Sequence, residues 1–252
     1  MDAIIETLAR ELSRDPVQVE NVVRLIDEGN TIPFIARYRK ELHGAMDDTT
    51  LRTLADRLQY LRNLAKRREE VRASIEGQGK LTEELAAALD AAATLAEVED
   101  LYRPYKPKRR TRATMAKEKG LEPLADALSA FGGPVDPAAL AAAYVDPEKG
   151  VETVEDALQG ASDIVAERIS DDAGLRKVLR ALYLRRGTLV SRAAEKEPED
   201  TVYRLYYDFQ APVSRVQGHQ VLAIDRGERE GVLKVSVDLD PEAAKVAVRR
   251  AS

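Results

Sequence analysis

Apolar residues along most of this chain recur at three- and four-residue intervals, the period of amphipathic helices. Between 2 and 13, Ile4, Ile5, Leu8, Ala9 and Leu12 make one stripe, which Ser13 to Asp15 end. Pro16 suits the first position of a second helix with Asp15 as its cap, and Val19, Val22, Val23 and Ile26 carry an apolar face up to a stop at Gly29. Thr31 caps a third helix with Pro33 in its first turn. Ile32, Ile35 and Ala36 are its apolar positions, and Arg37, Tyr38, Arg39 and Lys40 are expected to project from its later turns. The longest predicted helix runs from 49 to about 76, capped by Asp47 or Asp48. Its seam is Leu51, Leu54, Leu58, Leu61 and Ala65, continued by Leu64, Val71 and Ile75, with Lys66, Arg67 and Arg68 as a basic patch beside it. The seam lasts about three heptads, so packing within the chain is expected rather than a coiled coil. Helices capped by Thr82 and Thr94 follow, the second ending near Tyr102.

Beyond 112 the pattern predicts a short helix at 114–119 stopped by Gly120, a helix at 121–131, a break at 132–137 and a brief helix at 138–144. Two more helices are expected at about 151–169 and 171–186, the first with Val154, Leu158, Ala161, Ile164, Val165 and Ile169 inside. From Gly187 the periodicity loosens. Tyr203, Tyr206, Tyr207 and Phe209 read as a packing cluster for a short helix, and VLAI at 221–224 fits helix or strand. VLKVSVDLD at 232–240 alternates and is the clearest strand, in need of a partner, and 241–252 begin another helix. The fold class is therefore mainly α: a multi-helix region with a helix-turn-helix-like element, one long central helix and a short β segment near the C-terminus. Three parts are expected: 1–131, 138–190 packing on it, and 201–252.

Composition changes this picture in two ways. With no cysteine there is no disulfide or thiolate chemistry, and only His43 and His219 supply imidazole, both beside glycines in what read as exposed loops. Paired acids such as Asp47 with Asp48 and Asp171 with Asp172 stand where helices begin, so capping accounts for them and no metal or other cofactor is implied. No catalytic motif is present, and the chain is expected not to be an enzyme. No apolar run approaches the roughly 20 residues of a membrane span and no signal peptide is visible, so a cytoplasmic protein with no membrane partner is expected. A formal charge of −5 leaves local patches as the only basis for binding nucleic acid.

Two such patches stand out. LYRPYKPKRRTR at 101–112 carries Arg103, Lys106, Lys108, Arg109, Arg110 and Arg112 with no acid among them. Pro104 and Pro107 push Arg103 and Lys106 towards extended geometry, so an extended arm is predicted. Like charges repel, and such an arm gains by lying against a polyanion or against neighbouring carboxylates. Tyr102 and Tyr105 are available to stack on unpaired bases or to anchor the arm. The second patch is Arg37, Arg39 and Lys40. Helix, an EGN turn at 28–30 and a cation-bearing helix have the outline of a helix-turn-helix, whose second helix would enter a major groove. The first turns of that helix are TIPFIA, however, which makes packing the best use of Ile32, Phe34 and Ile35. Surface ion pairs with acids such as Glu28 or Glu41 are the plainer use of Arg37 and Arg39.

The segments EGNTIPFIARYRKELHG at 28–44, EDLYRPYKPKRRTRATMAKEKGLEPLADAL at 99–128 and DRGEREGVL at 225–233, in that order and spacing, resemble the bacterial Tex family of transcription accessory proteins. The resemblance covers nearly the whole chain. It implies the N-terminal region of a longer, helical, nucleic-acid-binding protein, related in architecture to a eukaryotic transcription elongation factor. In the family an RNase H-like domain, helix-hairpin-helix elements and an OB-type RNA-binding domain follow. With those parts absent, the strand at 232–240 lacks a clear partner and residues 218–252 are candidates for fraying. The expected role is non-catalytic binding or positioning of RNA or DNA in transcription, through residues 103–112 with Arg37, Arg39 and Lys40 as a secondary patch. The alternative is a scaffold docking onto the transcription machinery or the downstream domains of the same full-length protein.

Overall fold

A computed structural model describes residues 3–107, 110–130, 136–195 and 200–251. The chain divides into two compact units, Met1–Tyr102 and Arg103–Ser252.

The first unit is all helix: α1 (Ala3–Leu12), α2 (Pro16–Asp27), α3 (Ile32–Tyr38), α4 (Lys40–His43), α5 (Asp48–Glu76), α6 (Glu83–Ala91) and α7 (Leu95–Tyr102). Its starts are where the caps predict them. Asp15 accepts from the Val17 amide (2.8 Å), Asp47 from that of Thr50 (2.7 Å) and Thr82 from that of Leu85 (3.2 Å). Helix α5, about 43 Å long at 1.5 Å per residue, buries Leu51, Leu54, Leu58, Leu61, Leu64, Val71 and Ile75 against its neighbours. Each such side chain contributes about 1.5–3 kcal/mol on burial.

Arginines beside that seam tie the other helices to α5. Arg57 makes a two-pronged pair with Glu11 of α1 (2.6 and 2.8 Å), and Arg62 does the same with Asp27 of α2 (2.7 and 2.8 Å). Arg67 donates to Glu99 of α7 (2.6 Å), Arg72 pairs with Asp90 of α6, and Arg68 donates to the Ala92 carbonyl. At ~0.2–1 kcal/mol for each half-exposed pair, these contacts orient the helices while the leucine seam supplies the stability. The expected basic patch is thereby corrected: Arg67 and Arg68 serve packing, and of the three only Lys66 is largely exposed.

Other expectations for this unit change as well. The third helix ends at Tyr38, because Arg39 leaves helical geometry (φ −130°), so Lys40 opens α4 instead of extending α3. His43 is not in an exposed loop but buried, at 1% exposure, where the short α4 turns it inward. Neither of its ring nitrogens has a hydrogen-bond partner among the described residues.

The second unit opens with a 3-10 turn at Arg103–Tyr105, followed by α8 (Arg112–Glu118), α9 (Glu122–Ser129), α10 (Pro137–Ala142), α11 (Val154–Asp171) and α12 (Ala173–Arg186). Ala113, Ala116, Leu121, Leu124, Ala141, Ala157, Ala161 and Ile164 form its helical core. Small residues let α11 lie close to α8: a Cβ at Gly160 would stand 2.4 Å from Leu121 and 3.3 Å from Ala116.

Then come β1 (Thr188–Ala193), β2 (Asp208–Pro212), α13 (Gly218–Arg229), β3 (Leu233–Asp238) and α14 (Pro241–Ala251). The antiparallel sheet has the order β2-β1-β3, with Val190 facing Gln210 on one side and Ser236 on the other. The predicted strand thus has its partner in β1. Residues 218–251, expected to fray, form two helices and that strand, because β1 anchors β3 and Ile224 and Gly227 pack α13 inward. VLAI lies within α13, and His219 is exposed there on the helix rather than in a loop. The aromatic cluster is present, with Tyr203 buried and Tyr206 edge-on to Phe209 at 5.5 Å.

Two outcomes are expected. Replacing His43 with Leu removes two unpaired buried nitrogens, whose burial costs about 1–3 kcal/mol; urea unfolding of H43L is expected to show a gain of about 1 kcal/mol. Hydrogen bonding from Arg57 holds the Glu11 carboxyl below its usual value, and Arg62 does the same for Asp27. Both groups have folded values below their unfolded ones. Their contribution is therefore complete above the ordinary carboxylate range and is lost as pH falls through the folded values. Melting temperature is expected to drop on acidification across that window, and to drop less in an R57A/R62A variant, which starts lower at neutral pH.

Candidate nucleic-acid interface

Helix α3 is held at its N-terminal end and on one side. The Thr31 hydroxyl accepts from the Phe34 amide (3.4 Å), Asn30 donates to the Leu25 carbonyl (2.9 Å) across the turn from α2, and Ile35 is fully buried. At ~100° per residue, Ile32, Ile35 and Ala36 share the inner face, which leaves Phe34, Arg37 and Tyr38 outside. Phe34, expected to pack with Ile32 and Ile35, is instead exposed, and Tyr38 one turn on is 56% exposed. Their ring centroids are 5.2 Å apart at a 46° tilt.

The neighbouring arginines lie against these rings. The Arg39 guanidinium is 5.4 Å from the Phe34 centroid and that of Arg37 is 6.0 Å from Tyr38; Arg39 also donates to the Tyr38 carbonyl (3.3 Å). Among the described residues neither arginine pairs with a carboxylate, Glu28 and Glu41 included, and exposed Lys40 has no ion pair either. Three predicted site residues, Arg37, Arg39 and Lys40, thus stand together as unneutralised charge, in a unit where Arg52, Arg57, Arg62, Arg67 and Arg72 are all paired. Of the two rings beside them, Tyr38 was expected to project, whereas Phe34 was hidden in the sequence by the apolar look of IPFIA. The four-residue step from Phe34 to Tyr38, out of phase with Ile32 and Ile35, is the signal that marks them.

The predicted arm differs in character. Tyr102, last residue of the first unit, is half-buried: its hydroxyl meets Ser74 (3.0 Å) and Arg67 lies 5.5 Å from its ring. Tyr102 thus packs on α5 within the first unit. Arg103, expected to be extended, is in the 3-10 turn with Pro104 and half-buried Tyr105, because the fixed φ of proline suits such a turn. Arg103 donates to Asp171 (2.9 Å), whose side chain is 10% exposed; Asp171 is thus an ion-pair partner, and capping α12 falls to Asp172, which accepts from the Leu175 amide (2.6 Å). Arg110 pairs with Glu118 (2.8 Å). Thr111 caps α8 through the Thr114 amide (3.0 Å), and its hydroxyl also bonds Glu167 (3.0 Å).

A cleft of 320 Å³ lies here, lined by Arg103, Lys106, Pro107, Thr111, Glu167 and Asp171 among others, so cations and carboxylates share it. Arg112 is exposed and has no ion pair among the described residues. Lys108 and Arg109 lie outside the described residues. The sequence left two uses open for this run, and Arg103 and Arg110 take the carboxylate one. Among the described residues no group of three acidic or imidazole side chains converges as a metal site, and no helix is long and apolar enough to cross a membrane.

Comparison with known proteins assigns the chain. Residues 2–76 match the family model described as the Tex-like protein N-terminal domain, and residues 134–251 match the Tex central region-like model. Protein tex of Bordetella pertussis is 48% identical over 240 residues, 95% of this chain and 30% of that protein. Transcriptional accessory protein Tex of Neisseria gonorrhoeae is 44% identical over 240 residues, 95% of this chain and 31% of that protein. S1 RNA-binding domain-containing protein 1 of Homo sapiens is 32% identical over 245 residues, 94% of this chain and 24% of that protein. The chain thus spans less than a third of the length of these curated relatives. With both Tex models matched in order on one mainly helical chain, it belongs to the Tex family, of which it carries the N-terminal and central regions.

Proposed function

We propose that this chain is a non-catalytic part of the transcription apparatus that binds and positions RNA or DNA. The observation that carries the reading is the α3 surface. Arg37, Arg39 and Lys40 have no ion pair among the described residues, within four positions of a net-anionic chain in which Arg57, Arg62, Arg67 and Arg72 of α5 are neutralised. Open cations gathered on one face gain most from phosphates, through displaced counterions. Arg112 adds a further open cation in the second unit, and Lys106 with the rest of the 103–112 run flanks it in sequence. Relatives named for transcription and for an S1 RNA-binding domain support the same class of partner. The paired state of Arg103 and Arg110 favours a second use for the arm, as a clasp within its unit and a docking edge for downstream domains or the transcription machinery.

The test is a salt titration of binding by the 252-residue chain, with single-stranded RNA and duplex DNA side by side. Wild type is expected to bind at low salt with a steep log–log slope. R37A/R39A/K40A is expected to lower that slope by about 2 on the single strand, at ~0.7 per phosphate contact. R112A is expected to lower it by less than about 1. Absence of binding at low salt, together with binding of the family's C-terminal part in trans, overturns this reading in favour of docking.

A further inference from the structure

We infer that the outer face of α3 is a stacking platform for unpaired bases, with Phe34 and Tyr38 as its two rings and Arg37, Arg39 and Lys40 as its phosphate contacts; the inference rests on the nucleic-acid role proposed above. The rings are one helical turn apart, 5.2 Å between centroids, and both are open to solvent. The Thr31 cap and the fully buried Ile35 also hold α3 in place, and Phe34 is 36% and Tyr38 56% exposed. A lone exposed aromatic is ordinary, but here two adjacent rings are flanked by cations, in the order Arg39, Phe34, Tyr38, Arg37.

That combination of rings and cations matches a single strand of nucleic acid in both of its chemistries. Each base has a π face that accepts an aromatic ring or a planar guanidinium, and each phosphate takes a cation. Duplex bases have their faces covered by their neighbours and offer only edges and phosphates, so this surface discriminates in favour of unpaired nucleotides. The chemistry is shared by single-stranded RNA and DNA.

The experiment replaces the rings while keeping apolar bulk, in F34L/Y38L, and measures binding of the 252-residue chain to single-stranded RNA, single-stranded DNA of the same sequence, and duplex DNA. A 2-aminopurine base in each single strand reports stacking by its fluorescence. The variant is expected to melt like wild type and to lose about tenfold or more in affinity for single strands, equivalent to about 1.4 kcal/mol. Duplex affinity and the salt slope are expected to stay as they were, and the 2-aminopurine response is expected to vanish. F34Y/Y38F, which keeps both rings, is expected to retain binding. A larger loss on RNA than on DNA, or the reverse, identifies which strand the platform prefers.

If wild type binds single strands and F34L/Y38L binds them equally with an unchanged 2-aminopurine signal, stacking is overturned while the cationic reading stands. Equal losses on single strands and duplex overturn it too, since rings that read bases cannot act on both alike. If the variant instead loses binding of the family's downstream domains and keeps nucleic acid, the face belongs to a protein partner. Wild type that binds no nucleic acid at low salt removes both readings together.

Discussion

The leucine seam of α5 is the constraint on which the first unit depends. Seven fully or almost fully buried aliphatic side chains along one 29-residue helix give α1, α2, α3, α6 and α7 a common surface to cover. The arginines flanking that seam then select which neighbour lies where. Arg57, Arg62, Arg67 and Arg72 each reach a carboxylate on a different helix, so one rod holds four others in defined positions. Burial stabilises more and is non-directional; the ion pairs are small but specific. Together they explain how a unit with so few aromatic side chains keeps a defined arrangement.

That use of arginine also separates structural from available charge. A guanidinium with a carboxylate across from it has spent most of its field locally, and little remains to attract a distant polyanion. Arg52, Arg57, Arg62, Arg67 and Arg72 of α5 fall in this class, and so do Arg103 and Arg110 of the basic run. Arg37 and Arg39 do not, because the helix break at Arg39 and the inward turn of α4 leave them beside rings and away from acids. The richest cationic stretch of the sequence is therefore partly self-neutralised, while a shorter and less conspicuous one remains open.

In the second unit, the strand at 233–238 illustrates a different dependence. Its own alternation makes it visible, but its stability comes from β1, a central strand whose buried residues Val190 and Ser191 are adjacent. Adjacent burial erases the two-residue period, so β1 carries no readable signal. It becomes a strand because β2 and β3 occupy both of its edges, with Pro212 tolerated at the end of edge strand β2. The buried Ser191 hydroxyl is satisfied by the Tyr206 carbonyl at 2.9 Å, a contact that also fixes the aromatic turn.

Most helix starts were determined by the sequence alone, because caps and periodicity act within a few residues, though the break between α3 and α4 was not. Asp15, Thr31, Asp47, Thr82 and Asp172 each bond an amide two or three positions on, and Leu51 to Ile75 mark one face wherever the helix sits. The family was legible too, in motifs that need no coordinates. Only the tertiary structure decided which charge meets which: Arg57 and Glu11 are 46 residues apart, and Arg103 and Asp171 are 68. The burial of His43, the outward face of Phe34 and the partner of β3 belong to the same class. All are contacts or exposures set by where distant segments come to rest, and local patterning carries no information about that.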